Sequence, residues 1–83
     1  MKTLNELKIG ESGVIIKVNG SGRLRKRILD MGVTPGTEIF LRKVAPFGDP
    51  IEITLRGYEL SLRKDEASLI ELREIDSVNK EAN

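Results

Sequence analysis

Ile51-Glu52-Ile53-Thr54-Leu55-Arg56-Gly57-Tyr58-Glu59-Leu60-Ser61-Leu62-Arg63 is the stretch that sets the fold. Successive side chains of an extended chain point to opposite faces, so Ile51, Ile53 and Leu55 share one face and Glu52, Thr54 and Arg56 the other. The alternation resumes after Gly57, with Tyr58, Leu60 and Leu62 set against Glu59, Ser61 and Arg63. Arg56-Gly57 between the runs reads as a tight turn, and the whole segment predicts a β-hairpin with one apolar face.

Toward the N-terminus, Ala45-Pro46-Phe47-Gly48-Asp49-Pro50 must be a loop, because its prolines lack the N–H that a ladder needs. Thr37 to Val44 before it predicts another strand, with Ile39 and Leu41 on one face and Phe40, Arg42 and Val44 on the other. Toward the C-terminus, Lys64-Asp65-Glu66-Ala67 suits a single helical turn. Ser68 to Arg73 returns to strand with Ile70 and Leu72 inward, and Ile75 reads as closing the core. Residues 76–83 lack an apolar period and predict a frayed polar tail, which places the domain at 1–75.

Thr3-Leu4-Asn5-Glu6 fits a capping box, setting Leu4 and Leu7 on one helical turn that Gly10 ends. After Gly13, Val14-Ile15-Ile16-Lys17-Val18 predicts a first strand that buries Val14, Ile16 and Val18. Asn19-Gly20-Ser21-Gly22 breaks it. Ser21 is then a candidate N-cap for a helix from Gly22 to Met31, with Leu24, Ile28 and Met31 as its apolar stripe and Gly32 as a left-handed stop. Val33-Thr34-Pro35-Gly36 reads as a type II turn with Pro and Gly at its central positions.

The chain has 83 residues and 9.3 kDa, enough for one small domain, and 26 of them are Ile, Leu, Val or Phe, which supports one aliphatic core. Five strands and one short helix after the first strand make the fold class mainly β. They favour a small SH3-like antiparallel barrel, closed or nearly closed, because closure removes exposed strand edges.

With no histidine and no cysteine, zinc fingers, thiol chemistry, disulfides and Ser-His-Asp triads are excluded, and no metal or cofactor site emerges. The formal charge of +1 gives no bulk attraction to nucleic acid or anionic lipid. Neither an apolar leader after Met1 nor an 18-residue apolar run occurs, so a soluble, cytoplasmic protein without membrane insertion is expected.

Gly20-Ser21-Gly22 stands where a phosphate-binding loop would, but Arg25 replaces the third glycine of the pattern, and a flexible turn with an N-cap accounts for it. Arg23, Arg25, Lys26 and Arg27 against Asp30 give the helix a local charge of +3. This is either a solvated face or a contact patch, and nucleic acid is disfavoured because the stacking aromatics of such modules are missing. Asp65-Glu66 is an adjacent acid pair without the spacing of a cation loop. Phe47 puts a large ring in a surface loop, either folding back over one barrel end or anchoring a partner.

The order of these pieces resembles the FeoA family of bacterial ferrous iron transport. The resemblance runs from about Thr3 to Ile75. It is carried by Leu4 to Gly10, the Gly13 strand, Leu29-Asp30-Met31-Gly32-Val33-Thr34-Pro35-Gly36, Ala45 to Ile51, Arg56 to Lys64, and Glu66-Ala67. It implies an SH3-like barrel that is not an enzyme and that acts on a partner, the cytoplasmic part of the membrane transporter FeoB. The expected contact surface is Arg23, Leu24 and Arg27 on the helix with Pro46, Phe47, Gly48 and a nearby Tyr58, since arginine and aromatic side chains dominate interface energetics. A similar barrel forms the C-terminal domain of metal-dependent repressors. The alternative is therefore a regulatory module binding a proline-rich or intramolecular segment.

Overall fold

A computed structural model of the chain describes residues 2–75. The strands are β1 (Lys2–Thr3), β2 (Ser12–Val18), β3 (Glu38–Val44), β4 (Ile51–Leu55), β5 (Tyr58–Leu62) and β6 (Ile70–Ile75), with helices α1 (Gly22–Asp30) and α2 (Lys64–Ala67). They form one antiparallel sheet in the order β1-β6-β2-β3-β4-β5. The expected hairpin is present: Leu55 pairs with Tyr58 and Ile51 with Leu62. Arg56 and Gly57 both take positive φ, 51° and 84°, the turn whose twist matches its flanking strands. Among the described residues no ladder joins β5 back to β1, so both remain edges.

One face of the sheet holds the core. Ile39, Leu41, Ile53, Leu55, Leu62, Ile70 and Leu72 are excluded from solvent, and they are the inward residues that strand alternation predicts. Each such side chain contributes roughly 1.5–3 kcal/mol relative to exposure. Ile75 is half-buried, at the margin of the core. The tail expected at 76–83 lies outside the described residues.

The first strand departs from expectation. Ile15 and Val18 are buried, while Val14 is half-buried and Ile16 is exposed. Against β6, Ile15 pairs with Leu72 and Lys17 with Glu71, so Ile16 is an extra residue in a β-bulge. One inserted residue inverts the alternation, and strict period-two reading from Val18 backward assigns the wrong face before the bulge.

A sixth strand was not expected. Lys2 and Thr3 pair with Leu72 and Glu71, and the apolar start that follows is a 3₁₀ turn, Leu4–Glu6. The Glu6 carboxylate accepts the Thr3 N–H at 2.8 Å, as the capping box requires, and Leu4 and Leu7 both enter the core. Helix α1 lies at the periphery. Ile28 is its one fully buried side chain, Leu29 and Met31 pack partly, and Leu24 of the predicted stripe is 40% exposed.

Candidate functional site

Helix α1 is fixed first at its C-terminus. Gly32, at φ +96°, donates its N–H to Leu29 O at 3.0 Å, and Val33 donates to Ile28 O at 3.3 Å, the paired bonds of a Schellman stop. Ile28 and Val33, both fully buried, supply its apolar contact. Thr34 to Thr37 then forms the turn, closed by Thr37 N–H to Thr34 O at 3.1 Å with Pro35 and Gly36 central.

The β4–β5 hairpin grips this corner. The Tyr58 hydroxyl donates to Met31 O, and it lies where a β-carbon on Gly32 would come within 2.6 Å. The Arg56 guanidinium donates to Thr34 Oγ1 at 3.0 Å and to the buried Thr37 Oγ1 at 2.8 Å. The segments Leu29–Gly36 and Arg56–Tyr58, distant in sequence, are therefore each other's packing partners. Arg56 was missed as a structural residue. A signal was available, since a tight hairpin turn needing positive φ ordinarily takes Asn, Asp or Gly there.

The basic face of α1 is mostly engaged. Arg25 Nε donates to Val18 O at 3.0 Å, anchoring the helix start to β2. Lys26 pairs with Asp30 at 2.9 Å, and that hydrogen bond and charge hold its ammonium above the ordinary lysine value. Arg27 Nη2 meets Glu66 Oε2 at 2.7 Å. Glu66 is buried, and its other oxygen accepts the Arg63 N–H at 2.9 Å at the head of α2. A carboxylate taken from water needs such donors. Among the described residues Arg23 alone of the four cations on α1 makes no hydrogen bond or ion pair, so the +3 face presents less free charge than its composition suggests.

α2 also holds the loop before β4: Lys64 N–H donates to Asp49 Oδ1 at 3.0 Å, and Gly48 turns with φ +89° beside the Lys64 ammonium. Arg27, through Glu66, and the loop before β4, through Asp49, are thus both bonded to one short helical turn. Phe47 is 99% exposed, so it does not fold back over a barrel end; the loop is short and pinned at both sides, by Ala45 N–H to Pro50 O and by Asp49 to Lys64. Tyr58 is not near this loop. The hairpin register puts Ile51 at the loop end of β4 and Leu55, opposite Tyr58, at the other, about 13 Å away at the usual rise per residue.

Among the described residues no three acidic side chains are grouped to hold a metal ion. None of their helices is long and apolar enough to cross a membrane.

The family model for the FeoA domain matches residues 2–74. A Porphyromonas gingivalis protein described as a fusion of Fe(2+) transport protein A with the Fe(2+) transporter FeoB is 42% identical over 74 residues, 89% of this chain. The chain spans only 9% of that relative's length. The solution structure of a FeoA-like protein from Clostridium acetobutylicum is 43% identical with a TM-score of 0.85, over 90% of this chain and 87% of that one. A Stenotrophomonas maltophilia FeoA crystallised with zinc, described as an SH3 domain protein, is 23% identical with a TM-score of 0.76, over 88% and 91% of the two chains. The last likeness is one of fold, and it identifies the architecture as SH3-like.

Proposed function

The chain belongs to the FeoA family, and from that premise we propose that it is a non-enzymatic accessory of ferrous iron uptake that binds the cytoplasmic part of a FeoB-type transporter. The observation that carries the proposal is the Porphyromonas gingivalis relative, in which a matching domain shares one polypeptide with FeoB. Linkage on one chain gives two modules a high effective concentration, an arrangement suited to partners that act together. The site of action is then the cytoplasm. The accessory biases the transporter by binding two of its conformations unequally, since equal affinity shifts nothing.

The proposed contact surface is Arg23, Leu24 and Arg27 with Pro46, Phe47 and Gly48, two segments that α2 connects. Phe47 and Leu24 supply exposed apolar area and Arg23 an unengaged cation. Arg27 acts by positioning α1 through Glu66, and Tyr58 by holding the end of the same helix.

Capture of a FeoB cytoplasmic domain, with and without a non-hydrolysable GTP analogue, tests this. Phe47→Ala is expected to weaken capture about tenfold or more and to leave the melting temperature within about 2 °C of the original, because a fully exposed ring contributes little to folding. No capture by the unaltered chain in either nucleotide state refutes the proposal.

A further inference from the structure

Strand β5 is an edge, and the hairpin register states which of its backbone groups are free. A two-residue turn makes Leu55 and Tyr58 a hydrogen-bonded pair, and alternation along an antiparallel ladder makes Ile53–Leu60 and Ile51–Leu62 hydrogen-bonded pairs as well. Glu59 and Ser61 occupy the positions between, so their N–H and C=O groups point away from β4. Among the described residues nothing bonds these four groups. Beside them, on the outer face, lies a depression of about 300 Å³ with an apolar floor of Val44, Ala45, Pro46, Pro50 and Ile51, bordered by Ser61 and by the Lys43–Glu52 ion pair. At the end of the edge stand Arg63 and Lys64, exposed and without ion-pair partners among the described residues.

We propose that the β5 edge is a strand-addition site for an extended segment of another protein, running antiparallel to β5, acidic at its N-terminal end and alternately apolar beyond. Backbone bonds to Glu59 and Ser61 supply two-residue periodicity, an apolar side chain on the outer face enters the depression, and the acidic end meets Arg63 and Lys64. A second copy of this chain is the wrong occupant. The self-pairing that uses all four free groups centres on Leu60, and it brings the Arg56–Gly57 turn of one copy to the Arg63–Lys64 end of the other. That gathers like charge at both ends of the pairing instead of supplying an acidic partner. The inference does not rest on the transporter proposal, although Pro46 borders both surfaces.

The test uses the full 15N-labelled chain and two synthetic peptides, acetyl-Asp-Asp-Val-Thr-Val-Thr-Val-amide and the same sequence beginning Lys-Lys. The acid-ended peptide is expected to shift the amides of Glu59 and Ser61 and slow their hydrogen exchange, with the Lys-ended peptide about fivefold weaker or less tight still. Ser61→Pro removes an outward N–H that β4 does not use, a change an edge strand accepts, and is expected to weaken binding about tenfold or more; Ser61→Ala keeps the amide and binds as the original does. The exchange measurement on the unaltered chain stands alone should Ser61→Pro fail to fold. Shifts confined to α1, equal binding of both peptides, unchanged amide exchange at Glu59 and Ser61, or a β5-mediated homodimer in sedimentation each overturns the proposal.

Discussion

Replacing Gly32 by alanine tests the junction on which α1 depends. At φ +96° an L-residue loses about 1–2 kcal/mol to backbone strain alone. The new β-carbon would lie 2.6 Å from the Tyr58 hydroxyl, which must move and give up its bond to Met31 O, a further loss of about 1 kcal/mol. The sum, about 2–3 kcal/mol, lowers the melting temperature of a domain this size by roughly 10–20 °C. Gly36→Ala separates the two contributions, because Gly36 has φ +90° with no atom within 4 Å of a β-carbon, and it should cost only about 1–2 kcal/mol. Tyr58→Phe alone should cost about 1 kcal/mol. Combined with Gly32→Ala it should add almost nothing, since the bond it removes is already lost. Urea unfolding of the four variants, fitted with a common slope, reads these differences. Additive costs, or equal costs at Gly32 and Gly36, refute the idea that the hydroxyl constrains Gly32.

Two further outcomes follow from the hydrogen-bond pattern. Glu66→Ala strips an acceptor from the Arg63 N–H and a partner from Arg27, and should destabilise by about 2 kcal/mol; Arg27→Ala, whose side chain is 63% exposed, should cost no more than about 1 kcal/mol. Urea unfolding decides the order, and a larger loss at Arg27 contradicts it. The Thr3 and Lys8 backbone N–H groups hold the carboxyls of Glu6 and Glu11 below the ordinary glutamate value. A lowered folded-state value means stability that is complete above the unfolded value, near pH 4.5, and is lost as pH falls through the folded one. Thermal melts between pH 6 and pH 2.5 should therefore decline in that acid range, and Glu6→Gln with Glu11→Gln should flatten the decline; an unchanged slope refutes the assignment.

Most of the sheet was legible because period-two alternation is a local signal. Ile39 and Leu41, Ile51 to Leu55, and Ile70 and Leu72 face inward as their spacing predicts. The bulge at Ile16 was not legible: three consecutive β-branched residues suit either face, and the choice is made by pairing with β6, more than fifty residues away. Strand β1 was hidden for a similar reason, since two residues carry no period. In the candidate site, the loop around Phe47 was readable from its prolines and glycine, but whether the ring covers a barrel end or stands in solvent was not, because that depends on how the loop is pinned in space. The engagement of Arg25, Lys26 and Arg27 was not, because Val18 O and Glu66 reach them only through tertiary packing.

That difference bears on where a partner surface should be sought. The segments that carry the family resemblance hold one another: Gly32 with Tyr58, Thr34 and Thr37 with Arg56, Asp49 with Lys64, Glu66 with Arg63. Their residue types are accounted for by the architecture, so they identify the scaffold without identifying what it binds. Phe47 stands apart. It lies inside such a segment, yet its ring is 99% exposed and stabilises nothing that a serine or aspartate there would not leave intact. A single exposed ring is ordinary on a protein surface, so Phe47 bears on function only through the transporter proposal, in which it is the apolar anchor. Under that proposal the loop's two anchors fix the backbone that carries the ring, which would leave only the side chain itself to be ordered on binding.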